Sequence, residues 1–198
     1  MLYSFLQGLF QFLFQVFFRA RGIGAENLPR EGAVILAANH QSNWDPPLLA
    51  TFLSRPVCYM AKQELFEIPV FGSIIRACHS FPVRRGAADR GAIKTALQIL
   101  KLQECLGVFP EGTRSKDGRV HKAEAGVALL AAMSKAPVVP AAIIGTDRIL
   151  SAGSLFPRLT VVYGKPMYYA GAHNDKVELQ EFAQQIMAEI TKLKEANC

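Results

Sequence analysis

The chain has 198 residues, 51% of them apolar, with four cysteines and a formal net charge of +6. That length and apolar content suit one compact domain with an appended element and exclude a disordered chain. Cys58, Cys78, Cys105 and Cys198 are scattered, with no C-x-x-C pair and no histidine at metal spacing, which excludes a disulfide framework and a zinc site and fits a reducing cytosol.

The first eighteen residues, MLYSFLQGLFQFLFQVFF, carry no charge before Arg19 and Arg21. Without a basic n-region or a small-residue cleavage site they do not read as a secretory signal. As a helix they align Gln7, Gln11 and Gln15 with Ser4, Gly8 and Arg19 in one narrow polar stripe on an otherwise apolar cylinder. At 1.5 Å per residue the helix is about 27 Å long, short of the ~30 Å hydrocarbon core of a bilayer. We expect it to lie in the bilayer surface, with the stripe toward water or the rest of the protein; a helix docked on the core and a true span are the alternatives. The division expected is 1–22 for this helix and 23–198 for the following domain.

Beyond the leader, AVILAA (33–38) is too short for a helix and reads as a buried strand. Asp45, ahead of Pro46 and Pro47, is placed to cap a helix. PVCYMA (56–61) predicts a strand, 64–77 a helical stretch interrupted at Pro69 and Gly72, and SFPV a short strand. Ile93, Ala96, Leu97 and Leu100 mark an amphipathic helix from Asp89, and CLGVFP (105–110) a strand ended by proline. A polar turn at 115–119 precedes a small-residue helix over about 123–135, the strands PVVPAAII and LTVVYG, and a helix from Lys176 with Leu179, Phe182, Ile186, Ile190 and Leu193 on one side. Strands alternating with helices predict an α/β fold: a single domain with a largely parallel or mixed sheet flanked by helices, plus the N-terminal membrane-associated helix.

Charge is unevenly placed. Arg55 to Lys122 hold twelve Lys/Arg against six Asp/Glu, and the rest of the chain ten against ten. An anionic partner for the middle third is one reading and a solubilising face the other.

In parallel α/β sheets the working residues gather on loops past the carboxyl ends of strands. NHQSNWD (39–45) follows the first buried strand and pairs His40 with Asp45, as an imidazole is paired with an orienting carboxylate in a catalytic triad. No G-x-S-x-G elbow supplies a nucleophile, so the base can act on a hydroxyl brought by the substrate. A hydrogen-bonded loop histidine beside a helix-capping aspartate is the plain alternative for that loop alone. FPEGTRS (109–115) adds Glu111, Gly112, Thr113 and Arg114 at another strand end: glycine lets the backbone approach, and the hydroxyl and guanidinium suit a phosphate.

These two loops, in this order and at this distance, resemble the first and third motifs of the glycerolipid acyltransferases of the 1-acylglycerol-3-phosphate acyltransferase type. Asn39, His40, Ser42 and Asp45 match N-H-x-S-x-x-D, and residues 109–115 match the third motif. FPVRR places Arg84 where the second motif ends in arginine, although His79 stands in place of that motif's glycine. APVVPAAIIG, centred on Pro140, resembles the fourth. The likeness spans roughly residues 26–165.

The resemblance implies transfer of a fatty acyl group from acyl-CoA or acyl carrier protein to the sn-2 hydroxyl of 1-acyl-sn-glycerol 3-phosphate (lysophosphatidic acid), giving phosphatidic acid. It implies His40 as general base and Asp45 as its orienting partner. Arg84, Thr113 and Arg114 would hold the acceptor's phosphate, with Glu111 and Gly112 shaping the loop. No cofactor or metal beyond the donor substrate is implied. The partners are a membrane bilayer and not nucleic acid, and the location is the cytoplasmic face of the cell membrane, peripheral or monotopic. Glycerol 3-phosphate or another lysophospholipid is the rival acceptor. Outside the family, a basic nucleotide- or nucleic-acid-binding domain has a pI of about 9.3 in its favour but lacks a phosphate-binding glycine loop. A non-catalytic membrane adaptor has the intact His40 and Asp45 against it.

Overall fold

The computed structural model of the chain describes residues 2–83, 90–115, 120–149 and 155–198. Among them, strands β1 (Arg21–Ile23), β2 (Val34–Ala38), β3 (Val57–Lys62), β4 (Phe81–Val83), β5 (Cys105–Val108), β6 (Val138–Ile144) and β7 (Thr160–Tyr163) form one sheet. Its order is β1-β7-β6-β2-β5-β3-β4. Every neighbouring pair is parallel except β6 and β7. The sheet is therefore mixed but mostly parallel. β2 lies near its middle with all five residues buried, which is why its sequence is apolar without alternation.

Helices cover both faces. α1 (Leu2–Phe18) and α2 (Asp45–Thr51) pack on the side lined by Val34, Leu36, Val139 and Ala141. α3 (Phe71–Ala77) joins parallel neighbours β3 and β4, and a right-handed crossover puts it on that same side. The Tyr3 ring against His79, just beyond α3, agrees. α4 (Arg90–Lys101), α5 (Gly126–Ser134) and α6 (Lys176–Glu195) pack on the opposite side against Ile35, Ala37, Leu106 and Val138.

Most expected elements are present, with local differences. The stretch 64–77 splits into a 3-10 turn at Gln63–Phe66 and α3. Gly72 lies inside α3 instead of interrupting it, at a position where a Cβ would run into the Phe66 carbonyl. The helix expected from about residue 123 begins at Gly126. β1 was not expected: three exposed residues carry no pattern. Of the expected turn at 115–119, residues 116–119 lie outside the described residues. α6 starts where Asp175 accepts from the Val177 and Glu178 amides at 2.9 and 3.1 Å, and buries Leu179, Phe182, Ile186 and Ile190 as expected.

α1 is docked on one side and bare on the other. Gln7 donates from Nε2 to the Ala50 and Leu53 carbonyls, both at 2.9 Å, tying α1 to the end of α2 and the turn after it. The Val57 amide donates to the Tyr3 hydroxyl at 3.3 Å. Phe14, 2% exposed, is enclosed by Phe10, Phe18 and Trp44. α1 thus climbs antiparallel to α2, from the strand starts to the loop that precedes α2. Gln11 and Gln15 face outward, and so do Leu2, Phe5, Leu9, Phe12 and Val16. Among the described residues no helix is long and apolar enough to cross a membrane.

The two sides of α1 should respond differently to truncation. Phe14→Ala is expected to cost about 3–5 kcal/mol of unfolding free energy, whereas Phe12→Ala, at a position 60% exposed, should stay within about 0.5 kcal/mol. Urea melts of the two variants check this, and equal losses would contradict the docked geometry.

Candidate active site

β2 and β5 are parallel neighbours, with Ala37 opposite Val108, so loops 39–45 and 109–115 leave adjacent strand ends. Asn39 secures the first of them. Its Nδ2 donates to the Ile143 carbonyl at 3.0 Å and its Oδ1 accepts from the Ile143 amide at 2.7 Å. The side-chain amide so extends the ladder from β2 toward β6 by one rung where the backbone turns away. Gln41 donates to the same carbonyl at 2.9 Å.

Asp45 is fully buried, and one of its oxygens gathers the loop. Oδ2 lies 2.8 Å from His40 Nδ1 and accepts from the Gln41 and Ser42 amides at 2.6 and 2.7 Å. This corrects the expectation of a helix cap: Asp45 is the first residue of α2, the preceding Trp44 makes no side-chain cap, and the carboxylate faces back over the loop. Its other oxygen is buried with no partner among the described residues. With Nδ1 donating to the carboxylate, His40 has Nε2 as its basic nitrogen, and Nε2 makes no hydrogen bond among the described residues. The His40 ring stacks on Phe109 at 4.2 Å between centroids, and Tyr59 lies parallel on Phe109 at 6.2 Å. The imidazole is therefore fixed by a charge at its edge and an aromatic face on its plane.

The second loop is tied to the first. The Ser115 amide donates to the His40 carbonyl at 2.8 Å, and Arg114 Nη1 donates to Asn43 Oδ1 at 3.0 Å. Gly112 has φ +68°, a left-handed conformation that favours glycine. Thr113 and Arg114 are exposed, while Glu111 is buried. Burial raises the Glu111 carboxyl above its ordinary pKa, opposed by the amides of His121 and His40. Glu111 thus faces into the loop, and the hydroxyl and guanidinium face out. Arg84 lies outside the described residues.

For three participants the sequence carried no sign of the role they take. Phe109 was visible as part of a motif, but not as the platform under His40. Asn43 was one loop asparagine among polar residues. Lys194, near the end of α6, brings Nζ to 3.2 Å from Gln41 Oε1, from a sequence distance no local pattern bridges. Burial pushes the Cys58 and Cys105 thiols up to about 12, which disfavours these two as nucleophiles. Among the described residues no three His, Cys, Asp or Glu side chains are grouped to hold a metal.

Comparison with known proteins identifies the family. The family described as Acyltransferase matches residues 19–144. The 1-acyl-sn-glycerol-3-phosphate acyltransferase of Bacillus subtilis is 36% identical over 148 residues, covering 73% of this chain and 72% of that protein. That of Streptococcus pneumoniae is 30% identical over 201 residues, covering 98% and 74%. The crystal structure of the 1-acyl-sn-glycerophosphate acyltransferase PlsC from Thermotoga maritima superposes with a TM-score of 0.75 at 28% identity, covering 96% of this chain and 77% of that one. Fold, loops and relatives converge, and the chain belongs to the acyltransferase family, as an enzyme of the type formed by the 1-acyl-sn-glycerol-3-phosphate acyltransferases.

Proposed function

We propose that the enzyme moves a fatty acyl group from a thioester, acyl-CoA or acyl carrier protein, to the sn-2 hydroxyl of 1-acyl-sn-glycerol 3-phosphate, producing phosphatidic acid for phospholipid synthesis. The observation that supports this reading is the bond from the Ser115 amide to the His40 carbonyl, which ties the loop of His40 to the loop that carries Thr113 and Arg114.

In this reaction His40 Nε2 takes the proton of the acceptor hydroxyl as its oxygen attacks the thioester carbonyl. Asp45 holds the ring and stabilises the imidazolium. The tetrahedral adduct collapses by breaking the C–S bond, and the proton held on His40 passes to the departing thiolate, leaving an ester, a free thiol and neutral imidazole. No acyl-enzyme forms. Thr113 and Arg114, with Arg84, hold the acceptor's phosphate, so that binding remote from the reacting atoms fixes the hydroxyl against Nε2.

The acceptor is a membrane lipid, and α1 suits an interfacial site. Its outward residues recur at intervals of three and four and carry no charge, the pattern of a helix lying in the headgroup region. Its upper end touches the catalytic loop through Phe14 and Trp44, whose ring centroids are 6.3 Å apart, and Trp44 is itself 40% exposed. We place this contact on the cytoplasmic face of the cell membrane, peripheral or monotopic through α1.

His40→Ala is expected to lower kcat by at least about a thousandfold with thermal stability near that of the parent, and Asp45→Asn by at least about a hundredfold. Arg114→Ala should chiefly raise KM for the phosphorylated acceptor. A thiol-release assay offering lysophosphatidate, glycerol 3-phosphate and other lysolipids checks all three, and full activity of His40→Ala would refute the mechanism. Separately, Phe5→Ser with Phe12→Ser should abolish flotation with phosphatidylglycerol-containing liposomes while leaving the fold intact; undiminished flotation would remove α1 as the membrane contact.

A further inference from the structure

The basic middle third of the chain is not used up by the catalytic loops. Three of its cations, Arg90, Lys94 and Lys101, lie on α4. At 3.6 residues per turn these positions fall within an arc of about 40° and extend along about 16 Å of the helix. All three are exposed, and no described ion pair or hydrogen bond engages their side chains. From Arg90 to Gln103 the sequence contains no Asp or Glu. Beside the cations, the half-buried Ile93 and Leu97, with Gln98, complete a shallow groove along the outside of the helix.

The groove's position narrows what it can receive. α4 packs on the sheet face opposite α1 and α2. The exposed apolar residues of α1, together with Trp44 and the Ile68, Val70 and Phe71 group, belong to the other layer. With α1 on a bilayer, the groove faces away from lipid, toward the soluble phase. Its cations are strung along the helix and do not converge, a layout poorly matched to one diphosphate and well matched to a row of carboxylates on a helix of a protein partner. α4 follows β4 in the chain and returns to β5, so its Arg90 end lies toward the carboxyl ends of the strands, the end of the sheet where the catalytic loops lie.

We propose that the outer face of α4 docks an acidic carrier protein bearing the acyl thioester, holding it so that its prosthetic arm reaches over the rim to His40. This rests on the acyl-transfer reading given above and names the partner that supplies the donor. Electrostatic docking at an exposed rim mainly raises the encounter rate and weakens with salt.

The test uses the full chain and its charge-reversal variant K94E/K101E, neither residue being among those assigned to the reaction. One acyl chain is presented either on acyl carrier protein or on CoA, with lysophosphatidate as acceptor. The expected result is a fall of about tenfold or more in kcat/KM for the carrier-borne donor, a change of less than about twofold for acyl-CoA, and loss of the salt dependence that the unmodified enzyme shows with the carrier. Carrier protein lacking its prosthetic arm should compete with the carrier-borne donor on the unmodified enzyme and not on the variant. An unchanged carrier reaction, an equal loss with both donors, or an unmodified enzyme that uses CoA alone would each overturn the proposal. Weakened binding to anionic vesicles with both donors slowed alike would assign the groove to the membrane instead. The CoA reaction keeps the two readings apart: an unmodified enzyme inactive with both donors defeats the proposed reaction itself, whereas normal CoA turnover with an unaffected carrier reaction defeats only the dock.

Discussion

One carboxylate oxygen organises the candidate site. Asp45 Oδ2 collects the His40 ring nitrogen and two successive backbone amides, all within 2.8 Å. A buried carboxylate is costly unless its charge is compensated by donors, and here the donors are the loop itself. The same three contacts therefore fold the loop, set the tautomer of the imidazole and keep Nε2 as its basic nitrogen. The following prolines support this: Pro46 and Pro47 start α2 directly behind Asp45, and their restricted φ fixes the direction in which the carboxylate is delivered.

The rest of the structure holds that loop in register with its neighbours. Asn39 ties it to β6, Phe109 braces the ring from β5, and Ser115 and Arg114 bind it to the second loop. These partners come from adjacent strands of a parallel sheet, whose carboxyl ends present their loops on one side. In the proposed reaction the exposed hydroxyl of Thr113 and guanidinium of Arg114 would take the phosphate and His40 the proton of the acceptor alcohol.

The two faces of the sheet carry different surfaces. One is covered by α1, α2 and α3, with uncharged aromatic and aliphatic side chains left bare. The other is covered by α4, α5 and α6 and exposes the basic row on α4. Under the proposed reaction, which joins a lipid acceptor to a thioester donor, the apolar side would meet the lipid and the basic side the water, a sandwich's thickness apart.

Much of this was legible from the chain. Runs such as VILAA identified buried strands because a strand covered on both faces has no polar positions, and the i, i+3, i+4 pattern of α6 identified its buried side. The motif residues placed His40, Asp45 and the 109–115 loop at strand ends, since the chemistry there depends on residue type and short spacing. Short-range pattern did not show that Asp45 turns away from its own helix, that Phe109 lies under His40, that Lys194 returns to Gln41, or that β1 exists as an edge strand. Nor did it divide the basic window between the loops and α4. Local sequence determines which elements form and which side of each is apolar, because those depend on propensity and burial within a few residues. Which elements become neighbours, and so which donor meets which acceptor, was decided only when the sheet order and the two helix layers closed around a shared core.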